Sequence, residues 1–331
     1  MVKRVVKMNT REIVGRKLTS SNRMLVREAY KRGVEFEILP NKRFRMKYGE
    51  KSYLVRGGVI CHAYNTQLAR RITDLKDVTS RYLRAKGFPS PENIVFLEHE
   101  LERAWNWAKD ILPVVLKPHN GIMGRLVYVN IDNYDEFKYC FEKIAQDRGR
   151  VLVEEFIEGD EYRFTYVKGE IVAIANRIPA NVVGDGKKTV RELVEEKNKE
   201  REIRKNPIHR KLVLDDESER VLKKQGYSFD SIPNDEERVY LRNNSNIATG
   251  GDAIDVTDTI SDTIKEQVRL ALESIPGLRV CGTDVLINGD SFNIIEINAH
   301  PMLNMHHFPW EGKERNVIGK VIDAMFPETV Q

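Results

Sequence analysis

Cysteine is scarce in this chain. Its three thiols, Cys61, Cys140 and Cys281, are too few and too scattered for a disulfide frame or a zinc pattern. That fits a reducing compartment, and a cytoplasmic location is expected. Long apolar runs are missing too: nothing approaches the ~20 residues of a membrane span. The basic amino terminus lacks the apolar run of a signal peptide, so export is not expected. No internal repeat or low-complexity stretch occurs, and the N-terminal part has no glycine-rich dinucleotide fingerprint. His300, His306 and His307 crowd a Pro-containing loop, but without a helical HExxH a transition-metal site is not expected.

What is present is ordinary for a folded protein: 41% apolar and 31% charged residues in a chain of 331. That length suits two or three packed subdomains. The net charge of +4 hides an asymmetry, because the first 56 residues carry +11 and the remainder −7. Such a basic stretch could steer a nucleotide, an acidic amino acid, a peptide or a nucleic acid, although a solvated basic face is the simpler account.

Periodicity predicts a helix over Met24–Arg32, a strand over Val34–Leu39 and a hairpin of Arg43–Tyr48 with Ser52–Arg56. A helix is expected over Asp74–Lys86, closed by Gly87. Strands at Ile94–Leu97, Pro113–Lys117 and Leu126–Ile131 alternate with helices around Glu100–Lys109 and Tyr134–Gln146. Arg150–Glu155 is a strand, and Tyr162–Val167 with Glu170–Ala175 a hairpin. Charged helices are expected at Thr189–Arg204 and Glu217–Gln225. A helix at Thr263–Ser274, paired strands at Val280–Ile287 and Phe292–Asn298, and a helix at Val317–Met325 close the chain. Without a regular βαβ period, α+β is favoured over a doubly wound sheet.

Four stretches carry chemistry-bearing residues. Glu296 and Asn298 lie two apart on a strand and face one side, and Asp284 stands on the preceding strand, so three oxygen donors can converge. Mg²⁺ favours such hard oxygens together with phosphates and water; polarity on an amphipathic sheet is the alternative. Lys117 ends an apolar strand before Gly121 and Gly124, where a point charge and close backbone N–H groups suit phosphate; a plain turn would serve as well. Val153–Gly159 mixes acids with apolar side chains at a strand end, as an adenine slot requires, and Glu161 could accept from ribose. The polar segment Leu241–Gly251 offers Arg242 for phosphate charge and Thr249-Gly-Gly251 as an anion loop; a solvent loop is the bland reading. Gly184-Asp-Gly-Lys-Lys-Thr189 departs from a Walker loop, lacking glycine at Asn181 and a hydroxyl at Lys188.

Taken in order, these features resemble the ATP-grasp superfamily, above all the ATP-grasp module of cyanophycin synthetases and fused bacterial glutathione-forming enzymes. The likeness rests on Lys117–Gly124, Glu154–Arg163, Val183–Leu193, Asn244–Thr257 and Ile295–Gly312, and spans about Asp74 to Pro327. The resemblance implies an ATP-grasp fold, two α+β subdomains clamping ATP behind a small N-terminal α+β cap. The expected divisions are a cap over 1–72, an N-terminal subdomain over 73–149 and a C-terminal subdomain over 150–331 with an insertion at about 181–240.

It also implies roles. Lys76 and Lys117 would touch ATP phosphates, with Gly121 and Gly124 beside them. Glu154, Glu155, Phe156 and Ile157 would form the adenine hinge, and Glu161 would hold ribose. Arg242 would bind the transferring phosphate, with Arg163 and Arg177 on substrate carboxylate or phosphate. Asp284, Glu296 and Asn298 would hold two Mg²⁺, with Mn²⁺ a substitute and Glu296 bridging. The implied enzyme is an ADP-forming carboxylate–amine ligase that makes an amide through an acyl phosphate. Its partners would be amino acids or short peptides; no membrane is expected, nucleic acid is disfavoured, and a homo-oligomer is compatible. A small-molecule kinase, or a nucleic-acid or acidic-polymer binder with a vestigial ATP site, are the rival readings.

The departures are local. Ile122, Met123 and Arg125 make the glycine loop bulkier than is usual for the family, and Asn298-Ala-His-Pro-Met302 lacks the glycine that normally follows proline. The chain has neither the second ligase module of cyanophycin synthetases nor a cysteine-ligase half. Making cyanophycin or glutathione alone is therefore not expected.

Overall fold

The computed structural model describes residues 13, 18–120, 125–243, 245 and 247–330. Gly121 and Gly124 lie outside them. Helix α1 (Ser20–Lys31) starts where Thr19 accepts from the Asn22 N–H, and it buries Leu25, Val26 and Ala29. Strands β1 (Glu35–Leu39), β2 (Arg43–Tyr48) and β3 (Lys51–Arg56) form an antiparallel sheet in chain order. Three helices follow: α2 (Ile60–Tyr64), α3 (Gln67–Thr73) and α4 (Lys76–Ala85). The helix expected from Asp74 therefore begins at Lys76, and α3 was not anticipated. The break has a local cause: Thr73 turns its hydroxyl back to the Ala69 and Arg70 carbonyls, and Leu75 is extended.

Next come β4 (Asn93–Leu97), α5 (Leu101–Ala108), β5 (Val114–Pro118), β6 (Tyr128–Ile131), α6 (Tyr134–Arg148) and β7 (Arg150–Glu155). Their strands form a sheet of order β4-β7-β5-β6. Phe96, Leu116, Phe137, Phe141, Ile144 and Val153 share one core between this sheet and its helices. Asn133 caps α6 at its start and Gly149, at φ +69°, ends it. The remaining elements are β8 (Asp160–Val167), β9 (Glu170–Ile178), β10 (Asn181–Val183), α7 (Val190–Arg204), α8 (Asp216–Lys224), β11 (Arg238–Tyr240), β12 (Asp252–Asp255), α9 (Asp262–Glu273), β13 (Val280–Asn288), β14 (Ser291–Asn298) and α10 (Val317–Met325).

The chain divides into two compact units. The first comprises Met1–Ile174, Thr257–Asn304 and Arg315–Gln331. In it β8 lies between β9 and β13, and β14 is the edge beyond β13. One core joins Leu25, Phe44, Met46 and Ile60 of the N-terminal region to Val167, Val280, Val321, Ile322 and Phe326. The N-terminal sheet is thus packed onto the carboxyl-terminal helix as part of a single hydrophobic interior.

The second unit comprises Ala175–Val256 and Met305–Glu314. Here the end of β9 pairs antiparallel with β12, and β10 with β11. Val182, Val190, Leu193, Leu222 and Val239 form its core. The segment Gly184–Thr189 approaches α7 as a turn. Asp185 accepts from the Lys187 and Lys188 N–H groups, and Thr189 with Glu192 closes a capping box.

Candidate active site

The acids singled out on β13 and β14 do meet across the ladder. Asp284 pairs directly with Glu296, and Gly282 with Asn298. Direct partners and residues two apart share a face, so the two carboxylates and the amide lie on the same side of the sheet. A bulge follows Asp284, and bulges re-aim neighbouring side chains. On the far side of β13, Arg163 of β8 stands opposite Asp284.

Across three strands the order is therefore Arg163, Asp284, Glu296. Arg163 grips Asp284 with two bonds, Nε to Oδ1 at 2.5 Å and Nη2 to Oδ2 at 3.1 Å. Lys76 Nζ donates to Glu296 Oε1 at 3.1 Å. The result is a line of cation, acid, acid, cation. Asp284 and Arg163 are buried at 4% and 6% exposure, so neither could be charged alone without a large penalty. Burial disfavours charge on Arg163, but Asp284, helped by Glu296, more than offsets it and holds the guanidinium above its ordinary value.

This donor set fits Mg²⁺. It consists of two carboxylates and an amide oxygen, too few to enclose a cation but suited to one shared with phosphates and water. Glu296 Oε2 has no hydrogen bond among the described residues, so it is an open oxygen donor. No cluster of three or more His, Cys, Asp or Glu side chains forms a metal cage among the described residues.

A second group of site residues surrounds β7. Glu154, 3% exposed, lies opposite Asn93 on β4 and Val115 on β5. Its carboxylate accepts from Lys117 Nζ at 2.5 Å and from Asn93 Nδ2 at 3.0 Å. The strand ends one residue further on: the Glu155 N–H donates to the Glu92 carbonyl and the Phe156 N–H to the Pro113 carbonyl. Phe156, Ile157 and Glu161 are half-buried. The expected hinge therefore has apolar side chains and a sheet-end backbone, and its first acid is committed to Lys117.

His119 and Asp77 were not singled out as site residues. His119 Nε2 lies 2.7 Å from Asp77 Oδ1, and the ring is 6% exposed. Asp77 follows Lys76 in the first turn of α4, and His119 follows Lys117 by two residues. The contact ties the two lysine-bearing segments together. Asn93 was also missed, since an amide on an apolar strand gives no local signal of its partner.

Arg177 and Arg242 stand in the second unit. Arg177 lies on β9 opposite Ala253 of β12. Arg242 donates to Asp215 at 2.7 Å and to the Leu241 carbonyl at 2.8 Å. Beside Thr249, the Gly250 carbonyl accepts from Arg201 at 3.0 Å, which anchors that loop. Asp252, 2% exposed, receives Lys197 at 2.6 Å and Arg201 at 2.7 Å. Arg204 lies 4.1 Å over the Trp310 ring. Lys197, Asp252 and Trp310 line a cavity of about 220 Å³ in this unit. Sequence reasoning gave no role to Lys197, Arg201, Arg204, Asp252 or Trp310.

Two antiparallel α+β bodies, with lysine, acidic hinge, arginine and Asp…Glu-x-Asn in one order, define an ATP-grasp module. The chain has an ATP-grasp fold and is similar over most of its length to bifunctional glutathione-forming proteins. It is 34% identical over 326 residues to the glutathione biosynthesis bifunctional protein GshAB of Pasteurella multocida, a match covering 93% of this chain and 42% of that protein. The protein of the same name from Enterococcus faecalis is 33% identical, with 96% of this chain and 44% of the relative covered. The crystal structure of a bifunctional glutathione synthetase from Pasteurella multocida superposes with a TM-score of 0.68 at 32% identity, covering 94% of this chain and 44% of the other. The chain thus spans less than half the length of the relatives it matches. No protein-family model matches it.

Proposed function

We propose that this chain is an ADP-forming carboxylate–amine ligase acting on an amino acid or short peptide through an acyl phosphate. The observation that carries this reading is the row Arg163–Asp284–Glu296 across one sheet, extended by Lys76 from the start of α4. Carboxylates there would hold two Mg²⁺ with Asn298, or Mn²⁺ in their place. Bound Mg²⁺ would neutralise phosphate oxygens and align the γ-phosphate.

The chain's own groups supply the rest. Lys76 can exchange Glu296 for a phosphate oxygen when cations occupy the acids. Lys117, held by Glu154, is pre-positioned at the end of β5 to meet phosphate near the hinge. Phe156 and Ile157 would wall the adenine, Glu155 would accept from its amino group, and Glu161 would bind ribose. Arg242 is assigned to the transferring phosphate, with Arg163 and Arg177 supporting substrate or phosphate charge. Transfer of the γ-phosphoryl group to the substrate carboxylate gives an acyl phosphate and ADP. Attack by the amine then forms the amide and releases phosphate. The work is positioning and charge neutralisation, so no nucleophilic side chain is needed.

The relatives are named for glutathione biosynthesis, and glutathione is a tripeptide. A dipeptide carboxylate with an amino-acid amine is therefore the first pair to test. Phosphate release across amino-acid and peptide pairs, with mass spectrometry of the products, should reveal an amide. A phosphorylated product without an amide would mean that transfer stops at the first step. Glu296→Ala should abolish ADP release while leaving the circular dichroism spectrum intact, and full turnover would refute the metal assignment.

A further inference from the structure

The loop after Asn298 is held by polar side chains distant in sequence. Asn65 donates to the Val280 carbonyl at 2.7 Å and to the Ala299 carbonyl at 3.3 Å. Ser21 Oγ accepts from the Leu303 N–H at 3.0 Å. Asn22 reaches His300 between these two points. Its Oδ1 accepts from the Ile60 N–H at 3.0 Å, which sets the amide orientation. Its Nδ2 therefore faces His300 Nε2 at 3.0 Å as the donor. Nε2 must accept, so the neutral ring carries its proton on Nδ1. That Nδ1–H has no partner among the described residues.

His62 lies against His300, and Arg70 acts on His62. The His62 and His300 rings meet edge-on with centroids 5.6 Å apart. Arg70 is close enough to His62 to help hold that ring neutral, after burial and His300. Arg70 forms no ion pair among the described residues, and its buried Nε has no hydrogen-bond partner. Asp74, the acid facing His62, opposes that effect but is exposed and lies beyond ion-pair distance of Arg70. Of these donors the Arg70 Nε–H is buried without an acceptor, which costs stability, and the His300 Nδ1–H is open to a ligand.

We infer that His62, His300 and Arg70 form a subsite for a carboxylate of the substrate, distinct from the carboxylate that is phosphorylated. The inference rests on the ligase reading for its purpose but not for its geometry. His300 follows Asn298 by two residues, so their Cα atoms are at most roughly 7 Å apart. That spacing matches a substrate with two carboxylates a few bonds apart, such as an acidic amino acid or a peptide with a free α-carboxylate. One would sit at the phosphate site, and the other would accept from Arg70 and the His300 Nδ1–H.

The test uses the full chain without nucleotide, with glutarate as probe. The imidazole Cε1–H signals of His62 and His300 are assigned from His62→Gln and His300→Gln. Glutarate should shift both signals, and Arg70→Gln should remove the effect while the circular dichroism spectrum stays unchanged. With an active substrate pair, Arg70→Gln should raise the KM of the carboxylate substrate about tenfold and leave that of ATP unchanged. Signals unmoved by glutarate would overturn the subsite even if ADP release is normal. Inorganic phosphate shifting them as strongly would overturn the carboxylate assignment. Glutarate binding without ADP release from any pair would keep the subsite and remove the ligase reading.

Discussion

His209 should make the second unit acid-sensitive. The ring is 5% exposed, and its Nε2 accepts from the Ala253 N–H at 3.2 Å. The other nitrogen is buried without a partner. Trp310 packs 5.6 Å away, edge-on. Burial lowers the pKa most; Asp252 opposes it, and Arg201, Lys197 and Arg204 lower it further, to about 4. An unfolded histidine titrates near 6.5. Between these values the unfolded chain binds more protons, so stability is complete above the window and is lost as the pH falls through it. The full loss is about 3 kcal/mol, of which about 1.4 kcal/mol has appeared by pH ~5.5. The assay is urea unfolding of the full chain at high and low pH, with Trp310 as sole tryptophan after Trp105→Phe and Trp107→Phe, excited selectively. His209→Gln keeps an acceptor for Ala253 but cannot titrate. The stability gap between parent and variant should narrow by about 1.4 kcal/mol on going from pH ~8 to ~5.5. A gap that stays constant would refute the reasoning.

Three further outcomes are expected. Lys117→Met leaves Glu154 buried with only Asn93, and should destabilise the first unit by about 3 kcal/mol, read from the urea midpoint of Trp105 fluorescence; an unchanged midpoint would show that Glu154 does not depend on that cation. Gly184→Ala places a Cβ 2.1 Å from the Asn234 carbonyl oxygen, so thermal unfolding should show a loss of about 1–3 kcal/mol, and a wild-type melting temperature would contradict this packing. Asp77→Ala and His119→Ala should be coupled by about 1 kcal/mol in a double-mutant cycle, whereas strict additivity would mean that the contact is not made.

Much of this architecture was legible in local pattern. Alternation located β1, because a half-buried strand must alternate, and short apolar or β-branched runs located β7, β8 and β13, which are buried over most of their length. The Asn288-Gly-Asp290 turn and the two-residue spacing of Glu296 and Asn298 were enough to put those side chains on one face. Short elements were harder. Helices α2 and α3 span 5 and 7 residues, too few for a periodic stripe, and β10, β11 and β12 depend on partners remote in sequence. Within Gly184–Thr189 the sequence already departed from a Walker loop, and Asp185 and Thr189 spend their oxygens on backbone N–H groups of the turn and the helix start.

Residue order and spacing by themselves pointed to the α+β class, carried the resemblance to the ATP-grasp fold and marked the acids of the candidate site. Tertiary structure alone decided their partners: Arg163 beside Asp284, Lys76 on Glu296, Asn93 on Glu154, and Asn22 fixing the proton of His300. The reason is physical. Periodicity reports which face of an element is buried, because burial repeats with the geometry of that element. Which charge meets which depends on strand register and on loops that bring residues hundreds of positions apart to 3.0–3.1 Å, and no local repeat encodes that distance.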